Sequence, residues 1–205
     1  MKSFSISAAF SAGWEAFAAR VGFFIGFIVL LGVLSIIPQL IIQQIEIVWL
    51  AVVLNIAFQL FQYYLAVGVV RISLLAVDGS PFGISDLFTG GPLFVPYVLS
   101  SLLYGLMLLV GLVLLVVPGI MVGVIFGQYR YCVIYQGLGP VDALKASAAI
   151  TKGARWKLLG FDFMLILLNL LGALPLGLGL FVTIPMSLVA SAQVYRTLLS
   201  QTELP

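Results

Sequence analysis

Long apolar runs with almost no charge recur along the whole chain, and they constrain its fold more than any other feature. A helix of about 20 apolar residues crosses about 30 Å of hydrocarbon, and the runs reach this length. Only 8% of the 205 residues are charged, whereas soluble domains carry about 25%. A soluble bundle would need a polar face on every helix, and these runs have none. We therefore predict an all-α, polytopic membrane protein.

Polar or turn-forming stretches divide the chain into six predicted transmembrane helices within one membrane domain, residues 1–205. Spans one to four occupy residues 21–136, and spans five and six occupy residues 156–199. Residues 1–20 and 140–153 alternate apolar and polar positions with helical spacing, which predicts amphipathic helices at the membrane interface. We expect residues 1–20 to remain in the mature protein, because no signal-type cleavage site follows the apolar run after them.

The basic residues fall on one side of this six-span arrangement. They are Lys2, Arg20, Arg71, Arg130, Lys145, Lys152, Arg155, Lys157 and Arg196. All of them lie near the N-terminus, the second and fourth loops, or the C-terminus. The positive-inside rule therefore predicts that both termini are cytoplasmic.

A weaker pattern suggests an internal repeat. Each even-numbered span ends on an arginine, in Val70-Arg71, Tyr129-Arg130 and Tyr195-Arg196, and each odd-numbered span follows a short segment of similar composition. One interpretation is three helical hairpins, each introduced by an interfacial segment. The alternative is that positive-inside selection alone places an arginine at each of these ends. Both interpretations stay open.

Glycines at four-residue spacing predict close helix contacts. The fourth span carries Gly119, Gly123 and Gly127 on one face, and the first span carries Gly22 and Gly26. A glycine stripe lets a neighbouring backbone approach closely in a membrane. We predict helix packing at all five positions, with the chain reversing outside the membrane at Pro118-Gly119.

Asp162 and Arg130 are the candidates for chemistry inside the membrane. Asp162 lies seven residues after Arg155, about two helical turns into the bilayer. It could belong to a proton or substrate path, or form a structural ion pair with Arg130. The uncharged candidates, which could line a polar path or bond between helices, are Asn55, Gln59, Gln62, Gln128, Asn169 and Gln193. The first three share one helical face, which we expect to avoid lipid.

The two amphipathic segments are predicted to contact the membrane surface. Their aromatic anchors are Phe10, Trp14 and Phe17, and their basic residues, together with the start of span five, are Lys145, Lys152, Arg155 and Lys157. These lysines and arginine could bind anionic lipid, or the segments could form a collar around the bundle.

Disulfides, metal sites and cofactors are not expected. Cys132 is the only cysteine, and the chain has no histidine, so the common zinc sites lack their ligands. The dispersed basic residues predict no nucleic-acid partner.

Several short motifs, in order, resemble one family. They are the Val77-Asp78-Gly79 turn with Leu87-Phe88, Pro118-Gly119-Ile120, Asp142-Ala143-Leu144 with Ser147 and Lys152-Gly153, and Gly177-Leu178-Gly179-Leu180 with Thr183-Ile184-Pro185 and Tyr195. This set resembles the membrane domain associated with bacterial glycerophosphoryl diester phosphodiesterases. Ala148 departs from the aromatic residue that relatives often carry. The resemblance implies a module of the bacterial cytoplasmic (inner) membrane, and we expect no phosphodiesterase domain.

Two functions are compatible with these observations. The chain is predicted to be a non-enzymatic membrane protein that organises lipid or a partner protein. The alternative is a small-solute or ion transporter with a polar interior around Asp162 and Arg130. A lipid enzyme is disfavoured, because no paired acids or metal ligands occur together on a loop. The sequence is compatible with a homo-oligomer.

Overall fold

A computed structural model describes residues 3–202, and this part of the chain is built from helices without β-strands. The α-helices are α1 Ile6–Ala19, α2 Val21–Ile42, α3 Val48–Val77, α4 Gly91–Leu114, α5 Val116–Phe126, α6 Tyr129–Gln136, α7 Pro140–Thr151, α8 Arg155–Ala173 and α9 Leu180–Ser200. A short 3-10 helix, Ile84–Phe88, lies between α3 and α4. The all-α prediction is confirmed for these residues, while Lys2 of the charge map lies outside them.

Five segments are long and apolar enough to cross a membrane. They are α2, α3, α4, α8 and the segment Val116–Gln136, which joins α5 to α6. Each lies close to a range predicted from the sequence. Their exposed surfaces are dominated by large apolar side chains, as a protein surrounded by lipid requires. The structure thus supports a membrane protein with several spanning helices.

The sixth predicted span corresponds to α9, which is not apolar enough to join these five. Gln193, Arg196 and several hydroxyl residues lower its hydropathy. Yet α9 has eight buried residues, more than any other helix described. It packs on α1, α3, α8 and α2, and Tyr195 and Leu198 on it are fully buried. A helix surrounded by protein can carry polar residues that a lipid-facing helix cannot.

Helix α1 packs mainly against α9. Its buried face is formed by Ala9, Gly13 and Phe17, where a side chain at Gly13 would collide with the Met186 backbone. The aromatic anchors predicted from the sequence do not share one environment, because Phe17 is buried while Trp14 is 53% exposed. The small residues Ala9 and Gly13, rather than aromatic spacing, determine which side of α1 meets the bundle.

The reversal between α4 and α5 occurs at Leu115, where the backbone is extended. The prediction that the chain reverses at Pro118-Gly119 is therefore wrong by about one turn. Pro118 instead lies in the first turn of α5, where proline is tolerated because the first backbone N–H groups of a helix have no partner within it. Gly119 then faces Gly111 and Leu112 of α4, so the hairpin closes through a backbone contact.

The fourth span is interrupted at Gly127 and Gln128, between α5 and α6. The carbonyl of Ile125, just before the interruption, accepts hydrogen bonds from two hydroxyl groups of α7. Ser147 Oγ donates over 2.9 Å and Thr151 Oγ1 over 3.1 Å. Both side chains are fully buried. Helix α7 is therefore part of the packed bundle, with Leu144 buried and Val141 exposed.

Candidate functional site

The sharpest candidate site is a cavity of about 570 Å³ between α5 and α8, which we call the α5–α8 cavity. Its polar lining residues are Tyr104, Gln128, Arg130, Tyr131, Asp162 and Ser191. Arg130 and Asp162, which the sequence predicts as an ion pair or as parts of one polar interior, thus face one space. A volume of this size is within the range of small-molecule sites, about 300–1,000 Å³.

Arg130 and Asp162 do not form an ion pair. Their charges interact across the cavity, but the side-chain ion pairs within residues 3–202 join other residues. Arg130 is exposed to the cavity and Asp162 is half-buried. The predicted structural ion pair is therefore absent from the described structure, which leaves both charged groups available to a third molecule.

Arg130 lies in the first turn of α6, between two tyrosines, and lines this cavity. Tyr129 and Tyr131 on either side of it are buried, since α6 packs one face into the core. Tyr129 lies against Tyr104, with 5.0 Å between ring centroids, and its hydroxyl is 3.0 Å from Ser101 Oγ. The sequence does not predict the contacts of Tyr129, because its partners lie on another helix.

Gln128 lines the same cavity and is only 8% exposed. Its Oε1 atom is buried and has no hydrogen-bond partner within residues 3–202. Leaving such an acceptor without a partner costs about 1–3 kcal/mol. Gln128 therefore adds a polar group that a ligand could satisfy.

The other predicted amides are not brought to this cavity. Asn169 Nδ2 donates to Ser187 Oγ over 3.0 Å, joining α8 to α9, and Gln62 Oε1 accepts from Ser35 over 3.3 Å, joining α2 to α3. Gln193 is half-buried on α9. Asn55 and Gln59 are exposed on α3, so no helix of the described chain covers these two amides, and avoidance of lipid by this face stays a prediction.

The glycine positions differ in their surroundings. Gly119 lies at the close α4–α5 contact, whereas a Cβ added at Gly123 would lie 3.8 Å from Leu108 and Tyr104, an ordinary van der Waals distance. A side chain at Gly127 would meet the Gly123 carbonyl of the same segment. Gly22 and Gly26 face open space, with no atom within 4 Å of an added Cβ, so packing at these two glycines is not found in the described structure.

A second cavity, of about 500 Å³, lies where α7 meets α8, and we call it the basic cavity. Its lining includes Lys152, Arg155, Lys157 and Trp156, and no acidic residue among those described. Lys157 Nζ donates to Ser3 Oγ over 3.2 Å. Arg155 Nε is buried and has no hydrogen-bond partner within residues 3–202.

The remaining predicted interfacial residues lie elsewhere. Lys145 is on the exposed side of α7, 3.9 Å from Asp142. Phe10 packs against Phe161, with ring centroids 5.8 Å apart, and Phe17 packs against Phe24. These contacts assign the two phenylalanines to the bundle, whereas Trp156 is the more exposed tryptophan, at 75% against 53% for Trp14.

One charged contact was missed by sequence inspection. Arg196 Nε and Nη2 donate to Asp78 Oδ1 over 2.9 and 2.5 Å, and the guanidinium lies 3.8 Å from the centre of the Tyr135 ring. The contact joins the end of α3 to α9 and α6. Asp78 and Arg196 are 118 positions apart, and no local pattern relates them.

Comparison with known families gives one match. The family model described as "Protein of unknown function (DUF975)" matches residues 100–202, which is half of the chain. The matched range contains the α5–α8 cavity and all the basic residues of the basic cavity. No curated protein and no solved structure matches the chain. The match carries no information about glycerophosphoryl diester phosphodiesterases, so that resemblance stays a prediction.

Proposed function

We propose that this chain, which belongs to the DUF975 family of proteins of unknown function, is a non-enzymatic membrane protein. Its proposed role is to organise anionic lipid. The basic cavity carries this proposal. Three cationic side chains surround it, no described acidic residue offsets them, and Trp156 beside them is 75% exposed. Cationic clusters at a membrane surface attract anionic headgroups, and tryptophan prefers the same interfacial depth.

The proposal includes a topology of six spans with both termini in the cytoplasm of a bacterial cell. Helix α9 would be the sixth span, shielded from lipid by its neighbours. Ser3 and Gln201 exchange two hydrogen bonds, of 2.9 and 2.8 Å, so the two ends of the described chain lie together. This contact supports an even number of crossings between them. The basic cavity would then face the anionic cytoplasmic leaflet of the inner membrane.

The order of elements also supports three related units. A short helix precedes each hairpin: α1 before α2–α3, the 3-10 helix before α4–α6, and α7 before α8–α9. Superposition of the three units tests the repeat, and a lack of common geometry would contradict it. The resemblance to the membrane domain associated with glycerophosphoryl diester phosphodiesterases favours a lipid-facing module that works beside a partner protein.

Lipid binding by purified protein tests the main proposal. We expect the chain to retain phosphatidylglycerol over phosphatidylcholine in nanodiscs, and Lys152→Ser to weaken that preference about fivefold, since one cation near an anionic membrane contributes about 1 kcal/mol. Lys145→Ser is the matched control, because Lys145 lies outside the basic cavity and beside Asp142. Equal effects of the two variants would contradict the proposal.

A second candidate function is transport of a small solute or ion. The α5–α8 cavity favours it, because two opposite charges face a space large enough for a solute. Flux of candidate ions and amino acids into proteoliposomes tests it with wild type and Asp162→Asn side by side. We expect flux that depends on Asp162 if this function holds, and unchanged leakage in both proteins if it does not.

A further inference from the structure

We propose that the α5–α8 cavity binds a zwitterionic amphiphile, with its ammonium group at Asp162 and its phosphate at Arg130. The inference concerns binding alone and does not depend on transport. It is also separate from anionic lipid at the basic cavity, so either proposal can fail without the other. The matching chemistry is that of a phosphoethanolamine headgroup attached to an acyl chain.

Charge complementarity is the first argument. Arg130 and Asp162 line one cavity and form no ion pair with each other. An anion alone would leave Asp162 uncompensated, and a cation alone would leave Arg130 uncompensated, which is unfavourable in a low-dielectric site. A molecule with both charges neutralises both side chains and enters without adding net charge.

The hydrogen-bonding groups provide a second, independent argument. Gln128 is 8% exposed, lines the cavity, and has a buried Oε1 atom without a partner in the described chain. A primary ammonium has three N–H donors, enough for the Asp162 carboxylate and this amide oxygen. A quaternary ammonium has none, so the site should prefer a primary amine.

The apolar rim identifies the ligand as an amphiphile. Ile120, Phe163 and Ile166 line the cavity and are 44%, 59% and 64% exposed. Ile120 belongs to the segment Val116–Gln136 and the other two to α8, both of which are candidate membrane spans. The cavity therefore opens between side chains suited to hydrocarbon, and an acyl chain can lie along them while the headgroup contacts the charges.

Ligand-induced stabilisation of the full chain in detergent tests the proposal. Cys132 is the only cysteine and is fully buried, so a thiol-reactive dye reports unfolding directly. A ligand that binds the folded state raises the unfolding midpoint as its concentration passes Kd. We expect lysophosphatidylethanolamine to bind at least about tenfold tighter than either its N-acetylated form or lysophosphatidylglycerol, both of which lack the ammonium.

These comparisons use the wild-type protein, so their outcome does not depend on whether a variant folds. Equal affinity for the three lipids would overturn the proposal. Water-soluble phosphoethanolamine is the fourth probe. If it binds as tightly as the lysolipid, the acyl chain contributes nothing and the amphiphile assignment is wrong.

Variants then locate the site. Asp162→Asn should weaken lysophosphatidylethanolamine about tenfold without weakening lysophosphatidylglycerol, whose phosphate no longer meets a like charge, whereas Arg130→Gln should weaken both. Lys152→Ser, in the basic cavity, is the control and should not affect the preference for the ammonium lipid. Retention of that preference in Asp162→Asn would overturn the assignment of the ammonium to Asp162.

Discussion

Two arginine–aspartate combinations in this bundle differ in how they are arranged. Arg196 and Asp78 are in direct contact, at 2.5 and 2.9 Å, with Tyr135 stacked on the guanidinium. Arg130 and Asp162 face each other across about 570 Å³ of space without an ion pair. We call the first the closed pair and the second the open pair. The same residue types can join helices in one place and leave room for a ligand in another.

The packing of the parent helices explains the difference. Helix α3, which Asp78 terminates, packs directly on α9. Arg130 and Asp162 belong to α6 and α8, which have little contact with each other, and Gly123 of α5 contributes no side chain to the cavity between them. The open pair stays apart because the two helices that hold its residues are separated, and not because of the chemistry of the charges. The comparison can be tested by changing each pair and its surroundings.

Reversing one charge of the closed pair should have the largest effect. The side chains of Arg196 and Asp78 are 24% and 29% exposed, so the pair is only partly screened by solvent. Arg196→Glu places two anions together and removes the cation from Tyr135, and we expect a loss of about 3 kcal/mol in the free energy of unfolding. The dye reaction of Cys132 during denaturant unfolding measures it.

The exchange of both charges is the control for this prediction. Asp78→Arg combined with Arg196→Glu should recover at least about half of the loss, because an ion pair is restored in the opposite orientation. If the double variant is no more stable than the single one, the contact is not what joins α3 to α9.

Two glycines allow the same comparison, between a tight contact and an open cavity, without any charged residue. Gly119 is packed against Gly111 and Leu112, so Gly119→Leu should destabilise the protein by about 2 kcal/mol through overpacking. Gly123 borders the open cavity, and Gly123→Leu should change stability by less than about 1 kcal/mol while abolishing binding of lysophosphatidylethanolamine. Thermal unfolding and the ligand-induced shift measure the two effects. Similar stability losses for both variants would show that the cavity is not open.

The sequence predicted the positions of several helices because runs of apolar residues report lipid exposure directly. Hydropathy alone does not place α9 among the candidate spans, because α9 carries polar residues that other helices cover. The reversal at Leu115 was assigned to Pro118-Gly119 because proline and glycine are common in turns. Proline is equally acceptable in the first turn of a helix, and sequence alone does not distinguish the two.

The candidate site was predictable in its residues but not in its geometry. Depth along the helices identified Asp162 and Arg130, since charged residues inside spans are rare. Whether they touch depends on the distance between α6 and α8, which no residue spacing encodes. The partner of Arg196 was missed for the same reason. Gly22 and Gly26 are the opposite case, in which the sequence predicts a contact that the structure lacks. Their spacing is typical of a helix contact, and nothing in the described structure packs there.

Neutralising the open pair should affect stability little. Asp162→Asn and Arg130→Gln remove charges that have no ion pair to lose, so we expect changes below about 1 kcal/mol in unfolding free energy. The same denaturant assay measures them, with Arg196→Gln as the matched comparison in the closed pair. A loss of about 3 kcal/mol or more in either variant would mean that Arg130 and Asp162 are paired in the membrane.

The smallest effect is expected at an uncharged contact between α8 and α9. Asn169 Nδ2 donates to Ser187 Oγ over 3.0 Å, and hydrogen bonds between membrane helices contribute about 0.6 kcal/mol on average. A double-mutant cycle with Asn169→Leu and Ser187→Ala should yield a coupling energy near that value.

Asn55 is the control, because its amide donates to Ala51 of its own helix over 2.8 Å, and Asn55→Leu should show no coupling to Ser187→Ala. A coupling between Asn169 and Ser187 as large as that of Arg196 with Asp78 would mean that direct contact alone, without charge, explains the strength of the closed pair.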